Sequence, residues 1–255
     1  MRRGNFKVRI LIFIAIAAFA FLRKCSQEEV NPYTGKKQAI SLSPQEEIAI
    51  GLQSAPGMAQ QHGGLHPSND YQALVDNVGN KLVNNSLAKN TPYKYEFHLL
   101  ADESTINAFA LPGGQIFITY ALFSQLRNED QLAGVLGHEI GHVLGKHSNE
   151  RITNANFWKV LAMGSSAIDL GGVAQQIGNG SLLKNGRGDE LESDELGVIF
   201  MLDAGYNPEE MIGVMEILKA AAGPNRVPEM QSSHPDPENR IEKIREAIAR
   251  HKKAS

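Results

Sequence analysis

A single cysteine, Cys25, in 255 residues excludes an intrachain disulfide, so stability does not depend on a bridge. The N-terminal apolar run, Ile10 to Leu22, stops at 13 residues, short of the roughly 20 that a helix needs to cross hydrocarbon. Basic residues are not in excess: 25 Lys and Arg against 28 Asp and Glu leave a formal net charge of -3. No glycine-rich phosphate loop and no aromatic-basic interleaving occurs, which excludes nucleic acid as a partner. No internal repeat is present.

What is there suits one globular catalytic unit. Hydrophobic residues at 42% and charged residues at 21% are ordinary proportions for a chain that buries one sizeable core and carries extensions. Arg2, Arg3, Lys7 and Arg9 precede the apolar run, the layout of an export signal or of a short uncleaved membrane anchor. Cys25 follows at a position suited to lipid attachment, although Arg23 and Lys24 stand where lipoprotein signals carry small residues. Either way the remaining chain is expected outside the cytoplasmic membrane, periplasmic or anchored facing the periplasm. The expected division is a signal or anchor over 1–24, a polar linker over 25–42 and a catalytic domain over 43–255.

Ser43-Pro44-Gln45-Glu46 combines an N-cap, a proline at the first helical position and a capping-box acid, so a helix starts there. Its expected end is Pro56-Gly57. A second helix is predicted over Asp70 to Leu87 from the spacing of Tyr71, Leu74, Val75, Val78 and Leu82. The period then changes. Tyr95, Phe97 and Leu99 alternate with Lys94, Glu96 and His98 as in a half-buried strand, and Phe109 to Tyr120 reads as two extended segments joined around Pro112-Gly113-Gly114.

Asn128-Glu129-Asp130-Gln131 offers an N-cap, early acids for the helix dipole and a capping partner, followed by apolar positions from Leu132 to Leu144. Gly134, Gly137, Gly141 and Gly145 cost roughly 1 kcal/mol each in a helix interior. Their expected compensation is close approach by neighbouring backbone. This helix carries His138-Glu139-Ile140-Gly141-His142, an HExxH pattern. Residues four apart share a helix face, so both imidazoles can reach one ion while Glu139 lies beside them as a base. His147, five residues beyond His142, is expected at the surface or behind a ligand.

Two imidazoles leave a catalytic zinc ion one protein ligand short. Glu190 is the expected third. In Glu190-Leu191-Glu192-Ser193-Asp194 the offset of four puts Glu190 and Asp194 on one helix face, and Asp194 then accepts the outer N-H of a ligating histidine. Glu192, the rival ligand, points to another face and is expected to be solvated. Gly205 should end this helix.

These residues resemble the family of zinc metallopeptidases that includes type I CAAX prenyl proteases, HtpX and BepA, and within it the exported, BepA-like branch. Four landmarks carry the resemblance in the expected order: Asn107 to Gly114, Leu132 to His147, Arg187 to Gly197, and Ser233-His234-Pro235 with Asn239-Arg240-Ile241. It implies an α+β, zincin-like (gluzincin) domain, mostly helical with a small sheet beside the HExxH helix. It also implies one Zn2+ per chain, bound by His138, His142 and Glu190, with Glu139 as catalytic acid/base. His234 and Arg240 are the candidate oxyanion donors. By the same resemblance, His234 either stabilises the transition state or occupies the open zinc position and keeps the enzyme latent. A turn before a helix capped by Asp236 and begun at Pro237 is the plain reading of His234.

An extended, unfolded polypeptide adding to the exposed edge of the Asn107 to Tyr120 region is the expected substrate. The stretch Met163 to Gly188 separates the motif helix from Glu190 and reads equally as a lid, a membrane-facing segment or a helical insertion. Two functional classes remain: a zinc endopeptidase for unfolded or misassembled envelope proteins, and a chaperone-like binding module with a mainly structural zinc.

Overall fold

The computed structural model describes residues 4–163, 185–221 and 239–253, together with Gln176 and His234. The motif helix forms the centre of the core: α5 (Glu129–Leu144) is buried at every position from Gln131 to Leu144. Asn128 caps it, accepting from the Gln131 amide at 2.8 Å. Packed around α5 are α3 (Asn69–Asn85), α7 (Arg187–Asp203) and α8 (Glu210–Ala221), with α9 (Arg240–His251) lying against α7 and α8. On α3 the inward positions are Val75, Val78 and Leu82, as the spacing predicts, while Tyr71 is exposed.

Closest contact falls where the glycines lie. A Cβ on Gly141 would meet the Ser193 carbonyl oxygen at 2.9 Å, and one on Gly197 would meet the His138 amide nitrogen at 3.2 Å. The missing side chains let the backbones of α5 and α7 approach, which places the first turns of α7 beside the motif. Gly205, at φ +74, ends α7 as expected.

The small sheet has the order β3-β5-β4, with β3 (Glu96–Leu100) parallel and β4 (Ala108–Ala110) antiparallel to β5 (Gln115–Thr119). Central β5 is buried throughout, its alternation signal is accordingly weak, and it leads directly into the short helix α4 (Tyr120–Phe123). Outer strand β4 is also buried at all three residues, so the edge expected to be exposed is not open in this conformation.

Two further expectations need correction. Helix α2 (Pro44–Gln61) has the predicted capping box but continues through Pro56. The carbonyl that Pro56 cannot bond belongs to exposed Leu52, where water can satisfy it, while buried Ile50, Ser54 and Met58 hold the inner face. The polar stretch read as a linker contains a hairpin, β1 (Glu28–Val30) with β2 (Lys37–Ala39), docked on the end of α5. Asn31 Nδ2 donates to the Leu144 carbonyl at 2.8 Å and Gln38 Nε2 to that of Gly145 at 2.9 Å, satisfying carbonyls a helix end leaves unpaired.

The N-terminal run forms α1 (Gly4–Ser26), which lies beside α6 (His147–Met163) and exposes Leu11, Ile14, Phe21 and Leu22. Among the described residues no helix is long and apolar enough to cross a membrane. Most of the Met163 to Gly188 stretch, and the proposed cap at Asp236 and Pro237, lie outside the described residues.

Candidate metal centre

His138 and His142 stand one turn apart on α5 with their Nε2 atoms 3.0 Å from each other. Glu190, in the first turn of α7, brings Oε2 to 3.3 Å from His138 Nε2 and Oε1 to 3.3 Å from His142 Nε2. His234 adds Nδ1 at 3.4 Å from His138 Nε2, 3.2 Å from His142 Nε2 and 3.1 Å from Glu190 Oε1. Tetrahedral zinc with bonds near 2.0–2.1 Å has ligand atoms about 3.3 Å apart. The four buried side chains therefore supply the donor types and the spacing to hold one such ion.

Glu139 is fully buried next to this cluster, and neither of its oxygens has a hydrogen-bond partner among the described residues. His234 Nε2 lies 3.7 Å from its Oε1. An unpartnered buried carboxylate is costly and calls for a functional explanation. Burial pushes its carboxyl above the usual range, against the pull of His234 and His138.

A second layer of side chains surrounds the cluster. His138 Nδ1 faces Asp194 Oδ1 at 2.8 Å, and Asp194 is gripped by Arg240 through Nε at 2.6 Å. Arg240 also lies 3.3 Å from Glu190 Oε2. A terminal nitrogen of Arg240 also comes within 3.5 Å of His138 Nε2, so the residue braces two carboxylates beside the cluster. Of the two placements considered for His147, the surface is excluded: the residue is fully buried, with Nδ1 2.8 Å from His142 Nδ1 and Nε2 2.9 Å from Glu192 Oε2. Glu192, expected to be solvated, is held in this chain. His147, Asp189 and Glu192 also cluster as possible metal ligands. Lys36 Nζ, 3.1 Å from Asp189 and 3.4 Å from Glu192, already supplies the positive charge there.

Burial alone would lower both motif histidines. For His138, hydrogen bonds to Asp194 and Glu190 reverse this and raise it to about 9, whereas His142 stays well below the ordinary value. Glu190 is pulled far below the carboxylate range, because His234 and His142 outweigh the opposing effect of burial. Asp194 is likewise lowered, Arg240 prevailing over burial. Glu190 and Asp194 thus both favour their ionised forms.

Sequence reasoning missed Asn185 and Arg151. Asn185 Nδ2 lies 3.1 Å from both His142 Nε2 and His234 Nδ1, and Arg151 donates to Asn185 Oδ1. Asn185 precedes α7 outside any periodic pattern, so no local signal marked it.

A helix-borne HExxH pair joined by a glutamate from a second helix, beside a small mixed sheet, defines a zincin-like metallopeptidase fold and site class. The chain belongs to peptidase family M48, whose family model matches residues 69–248. It is 31% identical over 244 residues to the mitochondrial metalloendopeptidase OMA1 of Schizosaccharomyces pombe, covering 92% of this chain and 71% of the relative. It is 31% identical over 226 residues to the beta-barrel assembly-enhancing protease of Escherichia coli O157:H7, covering 82% of this chain and 45% of the relative. Metalloprotease YcaL of Escherichia coli K12 is 27% identical over 221 residues, with 83% and 84% covered. The chain therefore spans less than half the length of the assembly-enhancing proteases it matches.

Proposed function

We propose that the protein is an exported zinc endopeptidase that hydrolyses peptide bonds in unfolded or misassembled envelope polypeptides, and that His234 holds it latent. The observation that carries this reading is the pairing of the four-donor cluster with an unpartnered Glu139. His138, His142 and Glu190 would hold the ion. When bound, zinc supplies Lewis acidity, lowering the pKa of a water towards about 7 and polarising the scissile carbonyl. Glu139 accepts the proton of the attacking water and returns it to the leaving amine, so no covalent enzyme intermediate is needed. The raised carboxyl of Glu139 suits it to both transfers. Arg240 and Asp194 orient His138, and His147 with Glu192 orients His142.

His234 occupies the fourth corner through Nδ1 and directs Nε2 towards Glu139, so it stands where substrate carbonyl and water would meet. The covered edge of β4 agrees with a resting state. Asn107 and Leu111 spend backbone bonds on β5, which turns the peptide groups of Ala108 and Ala110 outward for an added strand. Both residues are buried, so a substrate pairs there only once this edge opens. The basic and apolar α1 supports membrane association through the N-terminus, and the assembly-enhancing protease relatives support a quality-control role at the envelope.

A closed set of four protein ligands is also what structural zinc sites use, which favours a second reading: a chaperone-like module that binds unfolded chains. A structural site, however, has no need for an unpartnered buried acid. The deciding experiment measures zinc content and cleavage of an unfolded protein by wild type, Glu139→Gln and His234→Ala. Zinc in all three with cleavage lost only in Glu139→Gln supports the peptidase. Cleavage by Glu139→Gln equal to that of a wild type that does cleave rejects the mechanism, and zinc without cleavage in any of the three favours the binding module.

A further inference from the structure

Two side chains beside the candidate metal cluster have no part in holding it or in the proton transfers. Asn185 is buried, and its Nδ2 lies 3.1 Å from His234 Nδ1 and 3.1 Å from His142 Nε2. Arg151, on α6, donates through one terminal nitrogen to Asn185 Oδ1 and through the other to Ser148 Oγ at 2.9 Å. A guanidinium has donors only, so it selects the oxygen of the carboxamide and leaves the NH2 group facing the cluster. The direction of the amide is thereby set by chemistry.

An NH2 group cannot ligate a cation; it can only donate. Once His142 Nε2 gives its lone pair to an ion, that acceptor is lost to Asn185, and the remaining target is whatever occupies the corner now held by His234 Nδ1. In the resting arrangement His234 Nδ1 therefore stands in for a substrate or water oxygen at that corner. An atom placed there lies at hydrogen-bond distance from Asn185 Nδ2.

Building on the endopeptidase reading, we propose that Asn185 is a further catalytic residue, donating a hydrogen bond to the substrate oxygen that gains negative charge as the peptide carbonyl becomes tetrahedral. Water oxygen bonds to the carbonyl carbon, the carbon-oxygen π pair moves to the carbonyl oxygen, and it returns as the carbon-nitrogen bond breaks. The proton travels by Glu139 to the leaving amine. Asn185 transfers none: its bond strengthens with the developing charge and relaxes as the carbonyl re-forms, the behaviour of an oxyanion donor. Arg151 is its positioning residue, holding the amide in the donating orientation.

The test compares Asn185→Ala and the isosteric Asn185→Asp with their parent, taken as the more active of wild type and His234→Ala. Zinc content and melting temperature check each fold. The readouts are kcat and KM on an unfolded protein, and calorimetric Kd for a phosphinic peptide, a tetrahedral anion, against the uncleaved peptide of the same sequence bound to a Glu139→Gln background. Loss of one such donor predicts kcat lower by about 100-fold with KM within threefold, and phosphinic affinity weaker by a similar factor with peptide affinity unchanged. Asn185→Asp, which offers a carboxylate to the anion, falls at least as far. Cleavage and phosphinic affinity within threefold of the parent, or equal weakening of both ligands, overturns the role of Asn185. A parent that does not cleave at all overturns the peptidase reading itself, and this role with it.

Discussion

Arg240 grips the Asp194 carboxylate with two hydrogen bonds, Nε to Oδ2 at 2.6 Å and a terminal nitrogen to Oδ1 at 2.9 Å. Because Asp194 Oδ1 also faces His138 Nδ1, α9 is tied through one carboxylate to a candidate ligand on α5. Arg240→Lys keeps the charge and loses the fork. Zinc affinity is expected to weaken by about 10- to 100-fold, measured by chelator competition. Removing the charge as well, in Arg240→Leu, should also lower unfolding free energy by about 3 kcal/mol in denaturant titration. Unchanged affinity would remove Asp194 from the orienting role.

His234→Ala should raise cleavage of an unfolded substrate while zinc remains bound by three side chains. If the open arrangement is populated at about 10% in wild type, the gain is about tenfold. A fall in kcat instead would identify His234 as a transition-state stabiliser.

Gly141→Ala places a methyl group 2.9 Å from the Ser193 carbonyl oxygen and must push α7 from α5. A loss of about 1–3 kcal/mol is expected, together with weaker zinc binding. Gly57→Ala in α2 meets nothing within 4 Å. There the same change should stabilise by about 0.5–1 kcal/mol through helix propensity. Paired thermal melts and metal titrations separate the two effects.

Glu47 is buried on α2, with the Tyr93 hydroxyl donating at 2.7 Å and Lys146 Nζ at 3.9 Å. Burial pushes its carboxyl up to about 7, the Tyr93 bond and Lys146 offsetting only part. Since the unfolded chain releases this proton first, the contribution is fully present below about 4.5 and is lost as pH rises through about 7. Relative to Glu47→Gln, wild type should lose roughly 3 kcal/mol of unfolding free energy between about pH 4.5 and pH 8. Parallel pH profiles in denaturant would contradict this.

The amino-acid sequence by itself determined what short-range physics controls. The capping box at Ser43 and Glu46, the His138 and His142 pair one helical turn apart, and the matching offset of Glu190 and Asp194 all follow from helix geometry within a few residues. Close approach at Gly141 was legible because glycines in a helix interior need a compensating contact. Only the tertiary structure decided that His234, 96 positions from His138, fills the fourth corner of the cluster. It likewise placed Arg240 against Asp194 and Glu190, buried His147 against His142, brought Asn185 to the site, and set Asn31 under the carbonyl of Leu144, 113 positions away. Such contacts join side chains on elements whose own periodicities are independent, so they leave no pattern along the chain. They form when the backbones of α5 and α7 close on each other and each buried polar group must find a partner.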